Sequence, residues 1–356
     1  MVFSKLLLSW YNSERRNLPW RNTKDAYTIW LSEIILQQTQ VKQGLPYFKK
    51  FISHYPTVKD LAKASEDEVL KLWQGLGYYS RARNLHFTAQ YVSNHLNGTF
   101  PGNYKDLKTL KGVGDYTAAA IASFAYDEPV AVVDGNVHRV LSRFLGIHTP
   151  INSTEGIKEF KAKAQHLLDK NSPAAYNQAI MEFGALHCRP KSPKCMFCPF
   201  QSECVAFQLG IQDELPVKLK KTKVKKRYFY YWVVLDSEEN TIIQKRSGKG
   251  IWKGLHEFLL LDAEQPQDLL KLEDHLPGLD LPKSSIKSIR LYNKKPIVHL
   301  LSHRKIFATF IEVELNVSLS KANLTQRMKV IPVKDLQQLA VPVLIQNFIE
   351  SEFTKA

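Results

Sequence analysis

Cysteine is scarce in this sequence, with four in 356 residues, and no apolar run approaches the ~20 residues that a membrane-spanning helix needs. The segment from Met1 to Trp10 is too short for a secretory leader and has no small-residue cleavage site. Phe3, Leu6, Leu7 and Trp10 instead fit one face of an amphipathic helix. Internal repeats are absent, and so is low complexity outside one basic stretch. These absences argue against a membrane-spanning chain and a disulfide-stapled secreted scaffold. A cytoplasmic protein with reduced thiols is expected, nucleoid-associated if bacterial.

Acidic side chains are outnumbered. Against 49 Lys and Arg stand 34 Asp and Glu, a net charge of +15 that suits a polyanionic partner, either nucleic acid or an acidic membrane surface. The excess is uneven: 25 basic against 17 acidic residues over 1–204, 7 against 2 over 205–227, and 17 against 15 over 228–356. With 44% hydrophobic and 11% aromatic residues the chain can bury a sizeable core, and its length favours two domains over one.

Residues 1–206 carry helical periodicity broken at Gly75, Gly77, Pro101-Gly102 and Gly112-Val113-Gly114, so this part is expected to be all-α. Residues 207–227 are expected to form a basic linker. Its stretch 216–227 has seven basic residues, no acid, and neither a clear strand nor an amphipathic pattern. Short β-rich runs follow at 228–235, 241–245, 255–261, 297–301 and 306–314, with a closing helix over 342–353. This texture predicts a second, α+β domain over 228–356.

All four cysteines fall between 188 and 204, as Cys188, Cys195, Cys198 and Cys204 in a C-x6-C-x2-C-x5-C array. Four thiolates joined by short loops, stiffened by Pro190, Pro193 and Pro199, can converge on one centre. Structural zinc sites usually join two tight cysteine knuckles, and only Cys195 and Cys198 form one here. One [4Fe-4S] cluster is therefore the expected occupant. The array resembles the cluster loop of the endonuclease III-like DNA glycosylases, which implies a helix-hairpin-helix motif and a catalytic Asp upstream.

Upstream, Leu110-Lys111-Gly112-Val113-Gly114-Asp115-Tyr116 reads as a helix end, a glycine-rich hairpin and the start of a small-residue helix. Gly112 and Gly114 let backbone approach a phosphate with no Cβ in the way, and the N–H groups of the next helix point at the anion. An ordinary helix corner is the plainer reading of the glycines alone. Asp134, in Asp134-Gly135-Asn136-Val137, is placed to cap a helix; the resemblance makes it the carboxylate that stabilises a sugar cation. Strand-cleaving members carry lysine at the position of Tyr116, for a Schiff base with the sugar. Tyrosine cannot form one, which implies base release without strand cleavage. Glu33 sits among Trp30, Ile34 and Leu36 on an apolar helix, where desolvation would raise its pKa towards that of a general acid. A solvated helix face is the commoner place for Glu.

Leu18-Pro19-Trp20-Arg21, the run 27–41 with Ser32-Glu33 and Gln37-Gln38-Thr39-Gln40, and Trp73-Gln74-Gly75-Leu76-Gly77-Tyr78-Tyr79-Ser80-Arg81 closely resemble the MutY family of adenine DNA glycosylases. That family removes adenine mispaired with 8-oxoguanine. The resemblance spans the first domain in collinear order. It implies that Glu33 protonates adenine N7 and later activates water, that Asp134 serves the sugar cation, and that Tyr116 and Asn136 support them. It places Arg16, Trp20, Arg21, Leu36 and Gln178 around adenine, and Gln38 and Tyr78 as wedges beside 8-oxoguanine. The implied partner is double-stranded DNA with A opposite 8-oxoguanine or G, bound by a monomer. Clamp or repair partners stay open, and no membrane is involved.

The family appends a Nudix-like domain that inspects the opposite base. Ser302 and His303 match its Phe-Ser-His loop, with Leu301 in place of the aromatic. After Gly254-Leu255-His256-Glu257-Phe258 come Asp262, Glu264 and Asp268 without the carboxylate spacing a working hydrolase of that fold needs, so recognition without hydrolysis is expected. The expected architecture is an all-α helix-hairpin-helix glycosylase domain over 1–206 with a cluster loop at 188–204, the linker 207–227, and the Nudix-like domain. A bifunctional endonuclease III-like lesion glycosylase/lyase and a non-catalytic DNA-binding iron–sulfur protein are the alternatives.

Overall fold

The structure, a computed structural model, describes residues 2–219, 224–248, 250–268, 282–319, 324–325 and 327–353. The chain divides into two compact units, Met1–Lys63 with Asn84–Lys220, and Ala64–Arg83 with Lys221–Ala356.

The helices run in chain order as α1 (Val2–Glu14), α2 (Ala26–Leu36), α3 (Val41–His54), α4 (Val58–Lys63), α5 (Glu66–Trp73), α6 (Ser80–His95), α7 (Tyr104–Leu107), α8 (Asp115–Tyr126), α9 (Gly135–Leu145), α10 (Thr154–Leu167), α11 (Pro173–Leu186) and α12 (Val205–Gln208). In the first unit α1 buries Phe3, Leu7 and Tyr11 against Val137, Val140 and Leu141 of α9 and Tyr176, Ile180 and Phe183 of α11. Leu6 and Trp10 pack at the margin of this core. Helix α2 is buried almost all round because it lies against α3 and α8, and Asp25 caps its start by accepting from the Thr28 N–H. The alanines at 118–120 of α8 have no bulk to hold α2 away.

The second unit is an eight-stranded mixed sheet of β1 (Lys225–Leu235), β2 (Asn240–Lys245), β3 (His256–Glu257), β4 (Leu259–Ala263), β5 (Ile286–Leu291), β6 (Ile297–Leu300), β7 (Arg304–Leu315) and β8 (Met328–Pro332). Its spine is the order β3-β2-β1-β7-β5, with β1 and β7 parallel and every other pair antiparallel. Tyr230, Trp232 and Val234 of β1 pack one face with Ile311 and Val313 of β7. On the other face Phe310 stacks on Phe348 of the closing helix α13 (Val343–Phe353), ring centroids 4.0 Å apart.

Three features differ from the sequence expectation. Residues 225–227 are strand, paired with 304–306 of β7, and Arg227 is engaged by Asp262 at 2.7 Å and Glu264 at 2.8 Å. The neighbouring strand supplies the register that the basic run does not reveal. At the other end of the expected linker, Ile151 N–H donates to Val217 O and Leu219 N–H to Asn152 Oδ1, while residues 220–223 lie outside the described residues. Residues 64–83, expected within 1–206, group with the second unit. Asp67 pairs with Lys245 at 2.5 Å, Lys71 Nζ donates to the carbonyls of Gln337 and Leu339, and Arg83 Nη1 donates to Lys253 O at 2.5 Å.

Candidate active site and nucleic-acid interface

A cavity of about 630 Å3 opens in the first unit between the end of α2, the starts of α8 and α9, and one face of α11. It brings together Arg16, Trp20, Arg21, Glu33, Leu36, Gln38, Tyr116, Asp134, Asn136 and Gln178, residues far apart in sequence. Glu33 is 5% exposed. Tyr116 lies in the first turn of α8, and its hydroxyl donates to Glu33 Oε2 at 2.6 Å. Burial pushes the Glu33 carboxyl up to about 7. The Tyr116 hydrogen bond opposes that rise, the Asp134 charge adds to it, and Arg21 works against it.

Asp134 caps α9, accepting on Oδ1 from the N–H groups of Val137 at 2.8 Å and Asn136 at 2.9 Å. Asn136 Nδ2 donates to Oδ2 at 2.7 Å. Burial raises this carboxyl above its ordinary range, and the three N–H donors hold it back by stabilising the anion. Asn136 Oδ1 accepts in turn from Arg139 Nη2 at 2.8 Å, and Arg139 Nε donates to the carbonyl of Cys188 at 2.7 Å. Gly184 makes room here, since a Cβ would stand 2.6 Å from Asn136 Cβ.

The same cavity is lined by Glu182, which sequence reasoning missed. Arg16 donates to it from its backbone N–H, Nε and Nη2 at 2.9, 2.8 and 2.6 Å, and Arg21 from Nη2 at 2.7 Å. Burial raises the Glu182 carboxyl, but the bonds from Arg16 and Arg21 outweigh it and hold it at about 2. The sequence signal was its place one turn after Gln178 on α11, whose Oε1 accepts from the Tyr11 hydroxyl at 2.7 Å.

The expected hairpin precedes α8. Gly112 has φ +81, and a Cβ there would lie 2.8 Å from Asn84 Cβ, so conformation and space both require glycine. Gly114 is exposed, with open space around it, and caps α8 without a side-chain bond. Val113 contributes differently: its side chain is buried and its N–H donates to Leu110 O at 3.1 Å.

In the second unit a pocket of about 390 Å3 is lined by residues 76–80, Arg83, 250–252 and 300–304. Ser302 and His303 are exposed at the tip between β6 and β7, with Ser302 Oγ 3.2 Å from His303 Nδ1. Tyr78 joins them there, half-exposed. Gln38 and Tyr78, the two expected wedge residues, both have left-handed backbones, at φ +56 and +48. Such geometry is strained for side chains of this size. Trp252, at φ +60 and with its ring 5.6 Å from that of His299, was not singled out by sequence. The nearby carboxylates are engaged internally, Glu257 by Arg246 at 2.8 Å and Asp262 by Arg227 at 2.7 Å.

Cys188, Cys195, Cys198 and Cys204 line one small cavity of about 30 Å3 in the first unit. All four thiols are free. Among the described residues no group of three or more Cys, His, Asp or Glu is arranged to hold a single metal ion. Arg143 Nη1 lies 3.5 Å from Cys188 Sγ. The same cavity is lined by His187 and Gln212, whose buried Nε2 and Oε1 have no hydrogen-bond partner. Four thiols and orphaned polar atoms around one space fit a multi-atom sulfur-ligated centre.

Residues 31–166 match the HhH-GPD superfamily of base excision DNA repair proteins, and residues 230–351 match the NUDIX domain. An adenine DNA glycosylase of Buchnera aphidicola subsp. Schizaphis graminum is 33% identical over 98% of this chain and 98% of its own. The chain belongs to the adenine DNA glycosylase family. A Mus musculus adenine DNA glycosylase is 46% identical over 58% of this chain and 42% of its own. A solved thermostable thymine-DNA glycosylase is similar at 32% identity and a TM-score of 0.55, covering 58% of this chain and 96% of that one. The helix-hairpin-helix match contains Glu33, Gly112, Gly114, Tyr116 and Asp134; the NUDIX match contains Ser302 and His303.

Proposed function

We propose that this protein is a monofunctional adenine DNA glycosylase of base excision repair that hydrolyses the N-glycosidic bond of adenine opposite 8-oxoguanine, and opposite guanine, in duplex DNA. Family membership supports DNA as partner and base release as chemistry. The observation that carries the reading is the Glu33–Tyr116 hydrogen bond at 2.6 Å inside the first-unit cavity. It pairs a carboxyl that keeps its proton near neutral pH with a phenol where a lyase needs an amine.

Adenine enters the cavity flipped out of the stack, among Trp20, Leu36, Arg16, Arg21 and Gln178. Glu33 gives its proton to N7; the C1′–N9 bond then breaks and its electron pair leaves with the base. The Asp134 carboxylate stabilises the cation at C1′, held in place by its three N–H donors. Glu33, now ionised, takes a proton from water as the water oxygen bonds to C1′, which restores both groups. Product configuration is retained if Asp134 bonds to C1′ first. Ser302 and His303, with Tyr78 and Gln38 as wedges, inspect the opposite base, and Gly112 and Gly114 face the phosphates. Cys188, Cys195, Cys198 and Cys204 hold one [4Fe-4S] cluster, which cross-links the loop and supplies no step of hydrolysis.

Single-turnover incubation of duplexes with A opposite 8-oxoguanine, with and without alkali, tests this. Adenine release by the unmodified protein, loss of it in Glu33→Gln and Asp134→Asn, and nicking only after alkali are expected. Nicking without alkali, or full activity in either variant, overturns the reading.

A further inference from the structure

The loop that presents Tyr78 has positive φ at three of four consecutive positions, +99 at Gly75, +73 at Gly77 and +48 at Tyr78; the glycines adopt it freely, and the strain falls on Tyr78. A loop of this kind relaxes unless its surroundings hold it. Here the holding group is Arg81, only 8% exposed although it is charged. Its Nη2 donates to the carbonyls of Leu76 at 3.3 Å and Gly77 at 3.2 Å, and its backbone N–H donates to Tyr78 O at 2.9 Å. The guanidinium carbon lies 5.0 Å from the Trp73 ring centroid and 5.7 Å from that of Tyr78. Trp73 is fully buried and donates from Nε1 to the same Gly77 carbonyl at 3.0 Å. Leu76, Gly77 and Tyr78 line the same pocket as Ser302 and His303.

We propose that Arg81 is the positioning residue for Tyr78, and so sets how well this protein distinguishes 8-oxoguanine from guanine opposite adenine. One guanidinium nitrogen, Nη2, satisfies two carbonyls of the loop while the planar group lies over the half-exposed phenol ring. Lysine has one compact ammonium and cannot do both. The pocket wall thus keeps its shape before DNA arrives, and binding does not have to order it. Burial lowers the Arg81 pKa to about 10, which leaves it cationic at neutral pH as the ring contacts require. Adenine chemistry resides in the first unit and does not involve this residue. The inference rests on the proposed reading of Ser302, His303 and Tyr78 as the part that inspects the opposite base.

The test is a double-mutant cycle on the full-length protein with Arg81→Lys, Tyr78→Ala and the double variant. Dissociation constants are measured for duplexes carrying a non-hydrolysable 2′-fluoro-adenosine opposite 8-oxoguanine and opposite G. Single-turnover release of ordinary adenine at saturating enzyme serves as the control for folding. Arg81→Lys is expected to weaken the 8-oxoguanine duplex about tenfold and the G duplex far less, with saturating release unchanged and the double variant no worse than Tyr78→Ala. Additive losses, or equal weakening on both duplexes, overturn the proposal. Should Arg81→Lys fail to release adenine at saturation, Arg81→Gln is measured in its place, and unaltered discrimination there overturns it as well. Absence of adenine release by the unmodified protein refutes the parent reading instead, a separate result.

Discussion

Two buried glutamates line the first-unit cavity, Glu33 and Glu182, and they are tuned in opposite directions. Glu33 has one phenol donor and stands at about 7; Glu182 has donors from two arginines and a backbone N–H and stands at about 2. Desolvation acts against ionisation in both, so burial alone does not decide the outcome. Glu33 stores a transferable proton near neutral pH. Glu182 offers a fixed anion that holds Arg16 and Arg21 at the cavity.

The largest effect that could break this contrast is on chemistry. Glu33→Gln keeps the shape of the side chain and removes the transferable proton. Single-turnover adenine release should fall by about 10^2 to 10^4-fold, with duplex affinity retained. A loss below tenfold would make the two glutamates equivalent.

Glu182→Gln leaves Arg21 and the partly exposed Arg16 without their counter-charge. The expected loss is about 2–4 kcal/mol of unfolding free energy in urea, discounted for the exposure of Arg16. The pH signs are opposite for the two acids. A folded-state value near 2 means that Glu182 contributes stability above its ordinary pKa of 4.5, and that this is lost as pH falls through about 2. The raised value of Glu33 means that its burial favours the fold most below pH 4.5, an advantage lost as pH rises through about 7. Replacing Glu182 should therefore flatten the acid side of the stability profile and leave the neutral side alone.

Smaller effects sharpen the comparison. Tyr116→Phe removes the donor that holds Glu33 down, so the pH at which release is half-lost should move upwards, with a rate change within about tenfold. Ser302→Ala touches neither glutamate. It should reduce the preference for 8-oxoguanine over guanine by about fivefold, seen in dissociation constants for the two duplexes.

Much of this was legible in sequence because the signals are local. The cysteine array, the hairpin glycines and the Asp134 cap each occupy a short segment whose spacing states its geometry, and the helical first part and strand-rich second part follow from periodicity. Glu182 was not legible because its meaning depends on Arg16 and Arg21, which are remote in sequence, while on its own helix it is one more charged residue. Strand β5, Ile286–Leu291, escaped because Lys287, Ser288 and Arg290 break the apolar pattern. Those polar residues bond to Glu314 and Glu312 of the neighbouring strand. Strand β8 was missed for a similar reason, since its half-buried Met-Lys-Val-Ile-Pro run takes its conformation from β2. The grouping of 64–83 with the second unit is accompanied by bonds from Asp67, Lys71 and Arg83 to residues remote in sequence, which no pattern along the chain announces.

In the proposed mechanism Glu33 delivers its proton from a carboxyl titrating near neutrality. Single-turnover adenine release at saturating enzyme, followed from pH 5 to 9 on A opposite 8-oxoguanine, tests it most directly. A basic limb with an apparent pKa near 7 is expected, displaced upwards by Tyr116→Phe. A rate that stays level across that range would contradict it.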